Sequence, residues 1–138
     1  MTSQWTPIVD FYGVYEGRGF AINGLSHTID QNAINPIIGF FSRLRGESVI
    51  KDVRFIDVNF SRAHGVGHNS TTGLNVGGIT GRLEDSAQII NCFLSGTISV
   101  RYSLPVLTSA FNAHVGGLVG YSEPSATAGL PTIIPAFP

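Results

Sequence analysis

Val76-Gly-Gly-Ile-Thr-Gly81 and Val115-Gly-Gly-Leu-Val-Gly120 are two versions of one phrase, and Ile37-Ile-Gly-Phe-Phe-Ser42 is a degenerate third. Their central glycines, Gly39, Gly78 and Gly117, recur at one constant interval, each 39 on from the last. A second marker follows the first two copies: Val49-Ile-Lys-Asp-Val53 and Gln88-Ile-Ile-Asn-Cys92, with Ile50 and Ile89 again 39 apart. Two markers that share one offset define an internal repeat, and a repeat of this length is one supersecondary unit that buries its apolar face only by stacking on its neighbours.

The content of each copy identifies the unit. Val53-Arg-Phe55 and Val58-Asn-Phe60 in one copy, and Cys92-Phe-Leu94 and Ile98-Ser-Val100 in the next, alternate apolar and polar residues with the period of a half-buried strand. Gly, Asn, Asp and Ser lie between these short strands, residues that accept a positive φ or bond their own backbone. An antiparallel barrel or sandwich predicts tight hairpin signals, and only Asn23-Gly24 fits that pattern. Equivalent positions at a fixed interval instead predict an all-β chain wound as a parallel β-helix (β-solenoid) with a 39-residue repeat. Its inward row is expected to hold Ile22, Leu25, Phe40, Ile50, Val53, Phe55, Ile79, Ile89, Cys92, Leu94, Ile98 and Leu118. The paired glycines at 77–78 and 116–117 are expected at corners where backbone meets backbone and no side chain fits.

Composition narrows the function. The 138 residues carry 8 Lys plus Arg against 9 Asp plus Glu, a formal net charge of −1, which offers nothing to nucleic acid or an anionic membrane. No apolar run reaches the roughly 18 residues of a membrane span, so a soluble domain is expected. The first residues lack the basic and apolar regions of a secretory leader, which leaves an unexported chain or an excised mature piece. A single cysteine, Cys92, forms no internal disulfide and no structural zinc site. No cofactor is implied.

Val-Gly-Gly-Leu-Val-Gly together with Ile-x-Asn-Cys resembles the GLUG motif of repeat regions in bacterial surface and secreted proteins. The stretch from Trp5 through Phe11-Tyr-Gly13, Tyr15-Glu-Gly17-Arg-Gly19 and Phe20-Ala-Ile-Asn-Gly-Leu25 is similar to the entry of such arrays. Ile38, Glu16 and Thr80 depart from the pattern. The resemblance implies a right-handed parallel β-helix used as stalk, spacer or adhesive module, also met in phage-associated proteins, and it transfers no catalytic residue.

Function is then sought in what packing does not demand. Leu25 and Gly39 stand 14 apart, whereas Val53 and Gly78, and likewise Cys92 and Gly117, stand 25 apart. The excess of eleven falls within 61–75 and 101–114 and is expected either to emerge on one side of the helix as a binding face or to form an additional coil whose polar residues are solvated. Arg62, His64, His68, Asn69, Arg101, Tyr102, Phe111, Asn112 and His114 mix aromatic, guanidinium, imidazole and amide groups, a combination suited to a glycan or protein surface. His64-Gly-Val-Gly-His68 lacks a helix to align its imidazoles and a third ligand, so no metal site is expected. Asp52 and Asp57 match Asn91 and Gly96 one repeat on, which favours turn roles over a glycosidase pair. A carbohydrate-active enzyme and an ice-binding solenoid are the alternatives to a non-enzymatic surface, secreted or virion module; matched Thr ranks are absent, since Thr80 aligns with Phe41 and Val119. Asn59-Phe-Ser61 and Asn69-Ser-Thr71 fit the N-glycosylation triplet.

Residues 1–123 read as one solenoid domain, with Trp5, Pro7, Ile8 and Val9 folded over its first coil. Residues 124–138 stop repeating and turn proline-rich and apolar. That tail is expected to blunt a sheet edge, since proline donates nothing to a ladder. Its Leu130, Ile133, Ile134 and Phe137 are expected to cap the last coil or to join a second copy.

Overall fold

Along 54–62 buried and open positions alternate: Phe55, Val58, Phe60 and Arg62 are buried, while Arg54, Asp57 and Asn59 are exposed. One extra residue, Asp57, breaks the period of two between Phe55 and Val58 and keeps both on the inner face. The computed structural model describes residues 4–29, 36–62, 74–100, 113–123 and 132–135. Among them every regular element is a strand, and no helix is long and apolar enough to cross a membrane.

The chain makes successive passes. The first contributes β1 (Ile8–Phe11), β2 (Val14–Glu16), β3 (Ala21–Asn23) and β4 (Ser26–Thr28). The second contributes β5 (Ile37–Ile38), β6 (Phe41–Leu44), β7 (Val49–Lys51) and β8 (Arg54–Arg62). The third contributes β9 (Leu74–Gly77), β10 (Thr80–Glu84) and β11 (Gln88–Val100). After it come β12 (Ala113–Gly116), β13 (Val119–Glu123) and β14 (Thr132–Pro135). Like strands of successive passes pair, forming sheets β1-β6-β10-β13, β2-β7-β11-β8-β3 and β12-β9-β5, with β14 on β11 and β4 on β8. Every one of these ladders is parallel.

Register follows the spacing read from the sequence between the later passes. Ile50 faces Ile89, Phe55 faces Leu94, Phe41 faces Thr80, Thr80 faces Val119, and Asn75 faces His114, each pair 39 apart. The first pass is shorter: Ile8 faces Phe41, Tyr15 faces Ile50 and Ile22 faces Phe55, at separations of 33 to 35.

The short strands expected around Phe55 and Phe60 fuse into the nine-residue β8, and their counterparts fuse with the second marker into the thirteen-residue β11. Left-handed residues make the fusion possible, because they bend a strand without ending its ladder. Two pairs stand in rank, Asp52 (φ 55°) beside Asn91 (φ 51°) and Gly46 beside Asp85 (φ 58°), while Asp57 (φ 56°) is the extra residue at a shift in register that sets Gly96 opposite Val58. Short carboxylate and amide side chains tolerate this conformation because they find local partners. Asn91 Nδ2 donates to Asp52 Oδ1 at 2.7 Å, and the Gly46 amide donates to Asp85 Oδ2 at 2.8 Å. Asp52 is therefore a corner residue, and Asp57 marks the bulge within β8.

The interior is apolar and aromatic. Of the expected inward row, Leu25, Phe40, Ile50, Val53, Phe55, Ile79, Ile89 and Cys92 are buried, and Ile22, Leu94, Ile98 and Leu118 pack on them part-buried. Phe41, Leu44, Val58, Phe60, Leu74, Val76 and Leu83 complete it. Trp5 stacks on Phe40 with centroids 4.5 Å apart and donates Nε1–H to the Phe40 carbonyl, so the N-terminal segment lies over the core as expected. Ile8 and Val9 themselves are exposed.

Two expectations change. Gly78 sits where a Cβ would overlap Leu94 Cδ1 and meet the Gly117 carbonyl at 2.6 Å, and Gly77 and Gly116 are equally enclosed by backbone. Gly117, however, has nothing within 4 Å among the described residues. The tail also extends an edge rather than blunting it: Thr132, Ile133 and Ile134 pair with Gln88, Ile89 and Ile90. Strand β14 needs no proline nitrogen at those positions, and Pro135 enters only at the strand's end.

Gly78→Ala is expected to lower unfolding free energy by about 2 kcal/mol through overpacking. Gly117→Ala is expected to leave it within roughly 0.5 kcal/mol, or to raise it by restricting the unfolded chain. Urea titration of both variants checks this, and equal costs would contradict the stacking of Gly78 beneath Gly117. Burial pushes the Cys92 thiol up, and the Asp52 carboxylate adds to the rise. A raised acid holds its proton longer folded than unfolded, so its contribution is complete below the thiol's ordinary 9.0 and is lost as pH climbs past it. Wild type should therefore lose more urea stability between neutral and strongly alkaline pH than Cys92→Ala does; identical slopes would exclude a buried, protonated thiol.

Candidate functional site

On the sheet β1-β6-β10-β13 the ladder sets Arg43 beside Arg82 and Arg82 beside Tyr121, with Glu84 beside Glu123 one step on. Leu44 and Leu83 between these positions are fully buried, so their neighbours along the strand project outward. The outward side chains join across passes. Glu84 is bracketed by two guanidiniums, its Oε1 3.0 Å from Arg82 Nε and its Oε2 3.0 Å from Arg45 Nε. Arg82 also pairs through Nη2 with Glu123. Its guanidinium lies 5.4 Å from the centroid of the Tyr121 ring, and Arg45 lies 5.7 Å from that of Tyr12.

The line continues onto the neighbouring sheet. The His114 ring on β12 packs against Tyr121 with centroids 4.7 Å apart. His114 Nδ1 lies 3.0 Å from Asn75 Oδ1, a contact that requires the ring proton on Nδ1. Tyr12, Arg45, Glu84, Arg82, Tyr121, His114 and Asn75 thus form one connected strip drawn from every pass. Ion pairs near the surface contribute little individually, in the range of 0 to about 1 kcal/mol, and Glu84 and Arg82 are part-buried here. Their effect here is positional: with Glu84 between them, the two arginines are held under their rings, and the ring faces and the remaining N–H groups are presented together. Both charge signs alternate along the strip, so it favours neutral polar partners over polyanions.

Of the residues expected at a binding face, His114 is part of this strip. Arg62 is not: it is 4% exposed, opposite Val100 on the inner face that Phe60 shares. Its position two residues beyond Phe60 in a strand dictates that orientation. His64, His68, Asn69, Arg101, Tyr102, Phe111 and Asn112 lie outside the described residues, as do Leu130 and Phe137. Ile133 and Ile134 stand on β14 at 43% and 42% exposure. The two longer segments do leave and re-enter at stacked points, from Arg62 and Val100 and to Leu74 and Ala113. Their excess over the first pass is smaller than the sequence comparison implies. Ser26 faces Asn59, which sets Leu25 beside Val58 rather than Val53. Val58 and Gly78 stand 20 apart against 14 for Leu25 and Gly39, an excess of six and not eleven.

The strip's other members were missed although the repeat marks them: Arg43 and Arg82, and Arg45, Glu84 and Glu123, stand 39 apart. A charged position kept in place but reversed in sign, as Arg45 is at Glu84, is the signature of ion pairing between stacked passes. No group of three His, Cys, Asp or Glu among the described residues is arranged to hold a metal ion.

Residues 72–99, the span of β9, β10 and most of β11, match the family model described as the GLUG motif, and the chain carries that motif. A 58-residue stretch is 47% identical to halomucin of Haloquadratum walsbyi (strain DSM 16790 / HBSQ001), covering 41% of this chain and 0% of halomucin. The chain therefore spans a negligible part of that relative's length. No solved structure matches it.

Glu84→Gln is expected to cost about 1 kcal/mol at low ionic strength, and less in 1 M salt, because the two arginines lose the charge between them. Chemical denaturation at both salt concentrations tests this; a cost that does not fall with salt would mean that the strip is not held by charge.

Proposed function

We propose that the chain winds as a right-handed parallel β-helix with a 39-residue coil and works as a non-enzymatic structural and adhesive module of a surface, secreted or virion assembly. The strip from Tyr12 to Asn75 is its contact for a glycan or a protein. Parallel ladders between like strands of successive passes support the winding, and crossovers between parallel strands are right-handed with few exceptions. The GLUG motif and the likeness to a protein with a mucin's name support the extracellular setting.

The observation that carries the binding reading is the Arg82–Tyr121–His114 arrangement. A ring face, a guanidinium fixed over it and an imidazole side by side offer the apolar stacking and directed donors that sugar rings and loop backbones require. A non-catalytic role is supported by the engagement of the strip's carboxylates in ion pairs and of Asp52 in a corner.

Glycan-array binding of the chain is expected to fall at least about tenfold in Tyr121→Ala, the loss of one aromatic anchor. The variant's β circular dichroism should be unchanged. Binding that ignores Tyr121→Ala and Arg82→Ala alike would remove the strip as the contact. Release of products from a polysaccharide panel would overturn the non-enzymatic reading.

A further inference from the structure

On a third face, that of β4, β8 and β11, the register aligns small polar side chains in two rows. Ser26, Asn59 and Thr97 form one, and Thr28, Ser61 and Ser99 form the next. Phe60, between Asn59 and Ser61, is fully buried, so those two side chains project together from the opposite side of the strand. Asn59 is exposed. Its amide has no side-chain partner among the described residues, whereas Asn91 is tied to Asp52 and Asn75 to His114.

We propose that Asn59 is an acceptor for an N-linked glycan. Asn59-Phe60-Ser61 has the required triplet, a common one by chance, and the structure adds what chance does not provide. The acceptor amide and the hydroxyl that the triplet needs lie on one outer face, and the middle residue is sealed in the core. The flanking Ser26 and Thr97 are small, so a sugar attached to Asn59 meets hydroxyls on both sides at the strand spacing of about 4.8 Å and displaces no core residue. Access during synthesis is open as well. Strand β8 gains its partner β11 only after one further repeat has emerged, so its outer edge stays unpaired until then.

In the transfer step Asn59 Nδ2 bonds to the anomeric carbon of a lipid-diphosphate-linked oligosaccharide. The bond from that carbon to the diphosphate oxygen breaks, and the departing amide proton goes to the host transferase. This requires passage through a transferase-bearing compartment, as the extracellular reading above provides. The experiment supplies that passage itself, so its outcome is independent of where the native chain resides.

The full chain, given an export leader, is produced in a eukaryotic secretory host and mapped by peptide mass spectrometry after enzymatic deglycosylation in heavy-oxygen water. The majority of Asn59 is expected to be recovered as labelled aspartate. Asn59→Gln and Ser61→Ala should each remove one glycan from the intact mass while circular dichroism stays β. An unlabelled Asn59 peptide, whether Asn69 is occupied or not, overturns the proposal, and because that reading comes from the unmutated chain it does not depend on any variant folding.

Discussion

A parallel ladder between like strands imposes one constraint on this chain: each residue must be compatible with its own counterpart one pass away. Ile50 lies against Ile89, Leu44 against Leu83, and Val76 against Val115. Apolar rows cohere because like packs on like, and a change at one position is felt by the passes on both sides. The same rule governs the corners. Asp52 and Asn91 adopt the same left-handed conformation and are joined by a hydrogen bond. At Gly78, where a Cβ would run into the Gly117 carbonyl, the counterpart is glycine too.

Like charges cannot obey this rule without cost, and the strip of charged and aromatic side chains is what results. Arg45, Glu84 and Glu123 occupy equivalent positions, so one sign change turns a repulsive row into an attractive one, and Arg82 bridges the two glutamates. Coupling between passes then fixes Tyr121 and His114 without any loop. The strip is a property of the stack and does not exist in any one pass, which is why a functional reading that looks only at insertions overlooks it.

Much of the fold was legible in the sequence because glycine phrases and isoleucine markers carry the register openly, and eight of the twelve expected inward residues are buried. The candidate site was less legible for two physical reasons. Arg62 looked like a surface residue by type, but strand parity from Phe60 sends it inward, and parity is lost when a segment is scored by composition. Leu25 was set against Val53, yet the first pass takes its corners at Arg18-Gly19 and at Gly24, so its register is offset from that alignment. The tail misled through its prolines: Thr132 to Ile134 contain none, and they are the residues that pair.

The central claim is that residues 39 apart stand side by side in parallel, and disulfide mapping tests it most directly. In a Cys92→Ala background, cysteines replacing the exposed Arg54 and Phe93, 39 apart, occupy facing positions on β8 and β11, within the Cα separation of about 4.4 to 6.8 Å that a disulfide requires. Mild oxidation of the folded chain should close this pair rapidly and completely within one molecule, with closure slowed once urea unfolds it. A pair that stays reduced in the folded chain, or closes no faster than in urea, would contradict the account.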